Sequence, residues 1–368
     1  MKVRLGDYIE QIRGVSYSPA DLHSALNEKS VILLRANNIN DNKINFDDVV
    51  FVDKSKVSKK QYLQEGDILV CASSGSKHLV GKAAYMDKAQ PVTFGAFCKI
   101  VRPKTSIKRY IGYFFESPFY RTRISELSGG ANINNIKNEH IDNLEFELLE
   151  DRTQNDICSK LNKISFIIDK RKQQLEKLDL LVKSKFIEMF GNPILNEKKI
   201  PLDMLSNIAF LKAGKNITAQ DLHDFSEETP YPCFGGNGIR GFVSKWSHDG
   251  NYCLIGRQGA LCGNVQIVAG KFYATEHAVV VNLIGQDNVI WLYYCLKYLD
   301  LNRLQTGAAQ PGLNIDILSR VMILRPVIEE QNQFAKVVEQ TKKTKLTIKK
   351  SLDKLETLKK ALMQKYFG

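Results

Sequence analysis

The sequence predicts an α+β fold: two mixed, β-rich globular blocks separated by two long α-helices that pack as an antiparallel coiled coil, with a pseudo-two-fold internal repeat. The first observation behind this prediction is Gln154–Gly191, an unbroken run with an apolar seam that ends in Phe-Gly. The second is that the chain closes on Phe367-Gly368, at the end of a similar run. The offset between the two phenylalanines, 367 − 190 = 177, also matches Gln154 to Gln331. A long helix with one apolar stripe needs a partner, so each seam is expected to cover the other.

The duplication divides the chain of 368 residues into four segments: a block at 1–150, a helix at 151–191, a block at 192–327 and a helix at 328–368. This length is sufficient for two domains with cores of their own. Because each helix follows a similar block, a pseudo-two-fold arrangement would pair the helices antiparallel and place the blocks at opposite ends.

The apolar positions of both helices alternate in steps of three and four residues, the pattern of a coiled-coil seam. In the first helix they are Ile157, Leu161, Ile164, Ile168, Leu175, Leu178 and Val182. In the second they are Phe334, Val338, Ile348, Leu352, Leu355 and Leu362. Polar residues such as Arg171 and Thr341 take the remaining seam positions.

The first block is predicted to be mostly β structure, because short apolar segments alternate with polar turns. Its predicted strands include Val31–Leu34, Val49–Val52, Asp67–Ala72, Val80–Tyr85, Phe97–Val101 and Leu144–Leu149. An aromatic-rich helix is expected at Arg109–Ile124, followed by a polar loop at 128–135.

The second block repeats this order. Strands are predicted at Tyr252–Gly256, Val265–Ala269 and Ala278–Leu283, with glycine-rich turns at 234–241 and 256–259. Val289–Leu301 is the expected counterpart of the helix in the first block, and the loop at 305–312 is the counterpart of 128–135.

The charge balance favours a polyanionic partner. The net charge is +12 and the isoelectric point is near 9.2, which makes nucleic acid the first candidate and an anionic membrane the second. The two helical segments carry +3 and +5 of this charge, and lysines on a coiled coil usually form a solvated face. Any DNA contact by the blocks would therefore depend on local patches.

The chain is expected to be cytoplasmic and to lie outside membranes. The N-terminus is charged where a signal peptide needs an apolar core, and no apolar run reaches the length of a membrane helix. The seven cysteines form no Cys-x-x-Cys pair, so buried or idle reduced thiols are expected rather than disulfides or a metal site.

No catalytic constellation is present in the sequence. We find no phosphate-binding Walker loop, dinucleotide fingerprint, metalloprotease motif or Asn/Asp-Pro-Pro-aromatic tetrad of the amino-methyltransferases. His277 is the only histidine near other polar groups in a glycine-rich setting. A packing or DNA-contact role is favoured for it over catalysis.

Several motifs together carry a family resemblance. The end of the first helix and its stop, Leu178–Pro193, and the segments Gly256–Gly259, Thr275–Ala278 and Arg325–Gln331 look very like parts of the specificity subunit of type I restriction-modification enzymes. The first repeat departs from the last of these, since 150–154 keeps only the glutamine. With the duplication, the resemblance covers essentially the whole chain.

The resemblance implies that each block is a target recognition domain that reads one half of a bipartite double-stranded DNA target. The helix pair would set the spacer and dock two methyltransferase subunits, which would bind S-adenosylmethionine. Restriction and translocase subunits, using ATP and Mg, would join for cleavage. This chain itself would be non-catalytic and would bind no cofactor or metal.

Candidate DNA contacts are the polar and basic residues of the predicted loops. Arginine and glutamine can bind guanine and adenine edges bidentately, whereas lysine and backbone amides mostly hold phosphates. In the first block the candidates are Arg35, Asn37, Asn38, Ser73, Ser74, Lys77, His78, Arg121, Arg123, Asn132 and Asn134. In the second they are Arg240, Lys245, Arg257, Gln258, Thr275, His277, Gln305, Thr306 and Gln310. An ordinary hairpin connection is the alternative for the loop at 73–78.

Two other functions compete with DNA reading. One is a scaffolding adaptor with two β-rich binding modules on a coiled coil; salt-sensitive, sequence-selective binding to duplex DNA would exclude it. The other is a self-sufficient DNA methyltransferase, which the missing tetrad disfavours and which an assay for S-adenosylmethionine binding would test.

Overall fold

The fold is taken from a computed structural model that describes residues 1–104, 106, 108–127, 134–259, 261–306 and 312–368, with only the backbone of Asn134. It contains two compact units: residues 1–171 with 351–368 (unit 1), and residues 172–350 (unit 2). The predicted boundaries give the helices segments of their own. The units divide the chain differently because each part of the two helices shares an apolar core with the sheets and short helices of its unit.

Unit 1 contains mainly short strands before its long helix. The strands are β1 (Lys2–Arg4), β2 (Ile9–Arg13), β3 (Leu22–His23), β4 (Ser30–Leu34), β5 (Ile39–Asn40), β6 (Lys43–Ile44), β7 (Val50–Asp53), β8 (Ile68–Cys71), β9 (Ser73–Ser74), β10 (Ala83–Tyr85), β11 (Val92–Phe94), β12 (Cys98–Pro103), β13 (Asn134–Asn135) and β14 (Glu145–Glu147). The helices are α1 (Lys108–Glu116), α2 (Pro118–Leu127), α3 (Asn138–Asp142) and α4 (Asp151–Phe190), of which the last continues into unit 2.

Two four-stranded sheets form the centre of unit 1. Their strand orders are β10-β8-β12-β2 and β11-β4-β7-β3, and β11 runs parallel to β4. Every side chain of β8 is buried, which explains its continuous apolar sequence, because a strand covered on both faces does not alternate.

Three predictions for unit 1 are wrong in detail. The strand expected at Val80–Tyr85 begins only at Ala83, because a turn occupies the residues before it. The helix expected at Arg109–Ile124 is two helices, α1 and α2, because Pro118 begins a new helix where its ring would clash inside an existing one. The strand expected at Phe97–Val101 begins at Cys98, whose N–H closes a turn on the Gly95 carbonyl at 2.8 Å. Phe97 therefore lies on that turn and not in the strand.

Unit 2 repeats the architecture. Its strands are β15 (Leu202–Met204), β16 (Ala209–Ala213), β17 (Tyr231–Gly235), β18 (Gly238–Val243), β19 (His248–Gly256), β20 (Val265–Ala274), β21 (Ala278–Leu283) and β22 (Met322–Leu324). Its helices are α5 (Leu205–Ile208), α6 (Val289–Tyr298), α7 (Ile315–Ser319) and α8 (Ile328–Phe367), of which the last continues into unit 1.

The sheet order of unit 1 recurs in unit 2. A six-stranded sheet has the order β16-β21-β19-β20-β17-β18, and its first four strands correspond to β2-β12-β8-β10. The long strand β20 is the counterpart of both β10 and β11, since its first part pairs with β19 and its end pairs with β17. The parallel pair β4–β11 has its counterpart in β17–β20, and β1–β14 in β15–β22. The predicted glycine-rich turn at 234–241 is wrong in extent, because most of it is paired in β17 and β18 around a bulge after Cys233.

The long helices run antiparallel within unit 2. The Phe334 ring of α8 lies 5.4 Å from Phe186 and 5.7 Å from Phe190 near the end of α4. Further along α8, Lys345 forms an ion pair with Asp179, which is earlier in α4. Later residues of α8 therefore contact earlier residues of α4, as in an antiparallel pair. Gly191 follows α4 with a φ of +75° and donates to the Ile187 carbonyl, a conformation that favours glycine at a helix end.

In unit 1 the beginning of α4 and the end of α8 share one core. Ile157 and Leu161 from α4 and Met363 and Phe367 from α8 are buried together with Tyr110 of α1. The predicted seam residues are all buried or half-buried; the fully buried ones are Ile157, Leu161, Ile168, Val182, Phe334 and Ile348.

All seven cysteines are free and buried. Burial raises the pKa of the Cys295 thiol to about 12, so it stays protonated and unreactive near neutral pH. Within the described residues, no helix combines the length and apolar character that a membrane span requires.

Candidate nucleic-acid interface

A turn at Thr275–Ala278 joins three strand ends in unit 2. Thr275 N–H donates to the Phe234 carbonyl at the end of β17, and Ala278 N–H donates back to the Thr275 carbonyl at 3.0 Å. Arg257, the first residue after β19, donates its N–H to the His277 carbonyl at 3.1 Å. The turn therefore fixes loops from distant parts of the chain at one end of the sheet.

A fourth segment lies on the same loops. Leu313 N–H donates to the Arg257 carbonyl at 2.8 Å. Gly312 forms isolated β-bridges with both Gln258 and Thr306. Both backbone polar groups of Arg257 are thereby used, so its backbone is fixed, and its side chain is half-buried.

Close backbone approach explains two of the glycines. A Cβ on Gly256 would come within 2.4 Å of the Gly236 carbonyl oxygen, and one on Gly236 within 3.0 Å of the His277 oxygen. Any side chain at Gly256 would separate the loops, since the blocking atom belongs to the backbone.

The side chains at this end of the unit 2 sheet suit base edges and phosphates. Exposed candidates are Arg240, Gln258, Gln305 and Thr306. His277 is 40% exposed, and its Nε2 lies 3.0 Å from Glu276. The buried Nε of Arg257 has no hydrogen-bond partner among the described residues. Such a donor can be satisfied by a ligand.

Three candidates of unit 2 stand apart. Thr275 is 0% exposed, so it shapes the turn and cannot touch a ligand in this conformation. Lys245 follows the far end of β18, where Val243 pairs with Tyr231, and the structure does not bring it to the loop cluster. Gln310 lies outside the described residues.

Unit 1 carries the same turn at Gly95–Cys98. Gly95 N–H donates to the Leu34 carbonyl at the end of β4, as Thr275 does to Phe234. The Phe97 carbonyl accepts from Ala72 and Ser73, at 2.9 and 3.0 Å, immediately after β8. Phe97 thus takes the place of His277.

The fourth segment is repeated as well. Ile136 N–H donates to the Ala72 carbonyl at 2.8 Å, as Leu313 does to Arg257, and 313 − 136 again gives the offset of 177. Next to it, β13 pairs antiparallel with β9, bringing Asn134 opposite Ser74. The internal repeat therefore extends to the hydrogen bonds that assemble each loop cluster.

Unit 1 also places several candidates around its turn. Ser73 and Ser74 are half-buried, and Lys77 and His78 are exposed. Arg35 follows β4 directly.

Arg35 is tied to a neighbouring carboxylate. Its Nη2 lies 3.2 Å from Asp48, which also accepts from Asn37 at 2.6 Å. Asn38 is 1% exposed, and its amide bonds the carbonyls of Asn45 and Asp48. We therefore assign Asn38 to the fold and not to a ligand surface.

The other candidates of unit 1 divide similarly. Arg121 donates to the carbonyls of Val80 and His78, at 2.9 and 3.2 Å, so its guanidinium supports the loop from behind. Arg123 forms an exposed ion pair with Glu126. Asn132 lies outside the described residues, as does the side chain of Asn134.

The comparisons identify the family. Residues 2–179 and 195–358 match the family described as "Type I restriction modification DNA specificity domain". The chain belongs to this family, and its two loop clusters fall within the two matched regions.

Curated relatives are similar over part of their length. The EcoprrI specificity subunit of Escherichia coli is 47% identical over 136 residues, which cover 37% of this chain and 34% of the relative. The StySPI specificity subunit of Salmonella potsdam is 39% identical over 173 residues, or 47% of this chain and 37% of the relative. The matches thus span little more than a third of each relative.

Solved structures share the fold. The S subunit of a type I restriction-modification system from M. genitalium superimposes with a TM-score of 0.65 at 17% identity, covering 100% of this chain and 96% of that chain. A chain from work on complex assembly and conformational transition of the type I R-M system gives 0.60 at 15% identity, with 100% and 97% covered.

Proposed function

We propose that this chain is the DNA-specificity subunit of a type I restriction-modification complex, in which each unit reads one half of a bipartite duplex target. The observation that carries the proposal is the repeated loop cluster. The same hydrogen-bonded turn assembles polar loops at the same end of two equivalent sheets, while the exposed side chains differ. Two readers of different half-sites need this combination of a constant frame and variable contacts.

The long helices would set the distance between the half-sites. A helix rises about 1.5 Å per residue and DNA about 3.4 Å per base pair. Helix length can therefore be translated into a spacer length.

The same helices would dock the methyltransferase subunits. These helices expose apolar side chains: Phe166 and Ile167 in unit 1, and Leu180, Leu181 and Leu346 in unit 2. Apolar residues outside a coiled-coil seam favour a further protein surface.

The chemistry would belong to the partners. Under this proposal the methyltransferase subunits bind S-adenosylmethionine, and restriction and translocase subunits use ATP and Mg. The chain acts without a cofactor in the cytoplasm, where its DNA and its partners are found.

The direct test is selection of duplexes from a randomised DNA library by the full chain together with its methyltransferase subunits. We expect a split motif with a fixed spacer and binding that weakens steeply with salt. Binding without sequence selection would overturn the proposal and leave the scaffolding alternative.

Replacing Arg257 by alanine is expected to weaken binding to the selected motif by about 1–3 kcal/mol, because its backbone lies at the centre of the unit 2 loop cluster and its buried Nε has no partner among the described residues. Binding to random duplex should change much less. The measurement is a titration of both duplexes with the wild-type and variant complexes.

The matched control for this prediction is Arg320→Ala. Arg320 is an exposed arginine of the same unit and follows α7. Its replacement therefore removes the same charge from a different part of unit 2. Equal losses on motif and random DNA in Arg257→Ala would make the residue a phosphate contact.

Adding one heptad to both α4 and α8, at seam-matched positions, is expected to lengthen the spacer of the selected motif. Seven residues add about 10 Å of helix, close to three base-pair steps, and keep both seams in register. Selection from the same library gives the new spacer directly. An unchanged spacer in a folded variant would show that the helices do not set it.

A further inference from the structure

Phe97 is held in an exposed position that the fold does not require. Its side chain is 72% exposed, more than any other phenylalanine of the chain. Its neighbours on the turn are fixed, since Phe94 is 0% and Cys98 1% exposed. With its carbonyl accepting two backbone N–H groups, the turn presents the ring to solvent in a defined direction.

The turn under this ring joins the polar segments of unit 1. One donor to the Phe97 carbonyl is Ser73, which begins the loop that contains Lys77. The Gly95 end of the turn is bonded to Leu34, next to Arg35. The turn that carries the ring is therefore bonded to two segments that contain hydroxyl and cationic groups, which suit DNA.

The repeat shows which kind of contact this position makes. The equivalent residue in unit 2 is His277, whose carbonyl accepts the corresponding bond from Arg257. A wedge inserted between base pairs is an apolar side chain, and His277 at the equivalent position in unit 2 is not one. A contact with base edges instead changes with the base, and an imidazole in one unit with a phenyl ring in the other fits that pattern.

We propose that Phe97 is a specificity-determining residue that makes an apolar contact with the C5 methyl group of a thymine in the half-site read by unit 1. The thymine methyl is the apolar group that a base edge offers in the major groove. The inference rests on the proposed function and adds to it a specific contact, between Phe97 and the C5 methyl group of a thymine.

The experiment uses the wild-type complex and its selected motif. Each thymine of the motif is replaced in turn by deoxyuridine, which removes only the methyl group. For one thymine we expect binding about fourfold weaker, the factor that corresponds to burying one methyl-sized group. The Phe97→Ala complex should bind the thymine and deoxyuridine duplexes equally, whereas Phe97→Leu, which keeps an apolar contact, should retain the difference.

Phe210→Ala is the matched control, since Phe210 is 66% exposed and lies at the start of β16 in unit 2; it should behave as wild type. A deoxyuridine penalty that persists in Phe97→Ala, or that no thymine shows in wild type, would overturn the inference while the proposed function stands. If the wild-type complex selects no motif, the proposed function fails and the inference with it.

Discussion

Replacing Phe334 by alanine is expected to lower the free energy of unfolding of this protein by about 3–5 kcal/mol, the cost of emptying a buried aromatic site. Phe334 is 0% exposed, and its ring lies 5.4 Å from Phe186, 5.7 Å from Phe190 and 5.3 Å from Tyr294. These rings come from both long helices and from α6. They cannot all move into the space left by one ring.

The measurement is chemical denaturation of the full chain followed by circular dichroism. Phe210→Ala is the matched control, because the same side chain is removed from an exposed place, and we expect a change within about 0.5 kcal/mol. Similar losses in the two variants would show that the aromatic cluster does not stabilise the helix pair in unit 2.

Replacing Glu116 by alanine is expected to destabilise unit 1 by about 3–5 kcal/mol, because it leaves a largely buried guanidinium without its counter-charge. A Glu116 carboxylate oxygen lies 2.7 Å from Nη1 of Arg109, and the other lies 3.5 Å from Nζ of Lys359 in α8. The Arg109 guanidinium is also enclosed by two rings, 3.9 Å from the centroid of Tyr113 and 4.4 Å from that of Tyr85. Since these residues join α1 to β10 and α8, the loss should lower the stability of the whole unit.

The double variant Arg109→Met with Glu116→Leu tests the cause. If an unpaired buried charge accounts for the loss, the double variant should be more stable than either single variant. Glu126→Ala breaks the exposed pair with Arg123 and serves as the control, with an expected change below about 1 kcal/mol. Additive losses in the double variant would instead assign the effect to packing.

The contacts of the helix pair could be predicted from the periodicity of the sequence. The seam spacing of three and four residues is a local property of the sequence, and the structure buries or half-buries every predicted seam residue. The break between α1 and α2 also has a signal in the sequence, since Pro118 stands within the predicted helix. The sequence nevertheless predicts one helix, because the aromatic residues on both sides of Pro118 continue the helical pattern.

The residues of the loop clusters could be predicted from the sequence only in part. Residue type pointed to Arg257, Gln258 and His277, which the structure brings together. It equally pointed to Asn38 and Arg121, whose polar groups bind backbone carbonyls. A polar side chain that supports a loop and one that faces a ligand can be the same residue type, and only their burial and hydrogen bonds in the folded chain distinguish them.

The sequence by itself determined the duplication, the two seams, the order of blocks and helices, and the family that these features resemble. Tertiary structure alone decided that Phe97 faces solvent on a turn, that Thr275 is buried, and that the turns of the two units are equivalent. The reason is physical. The seams follow from side-chain periodicity within one element, whereas each turn is assembled by backbone hydrogen bonds between segments far apart in the chain, and backbone groups are the same for nearly every residue.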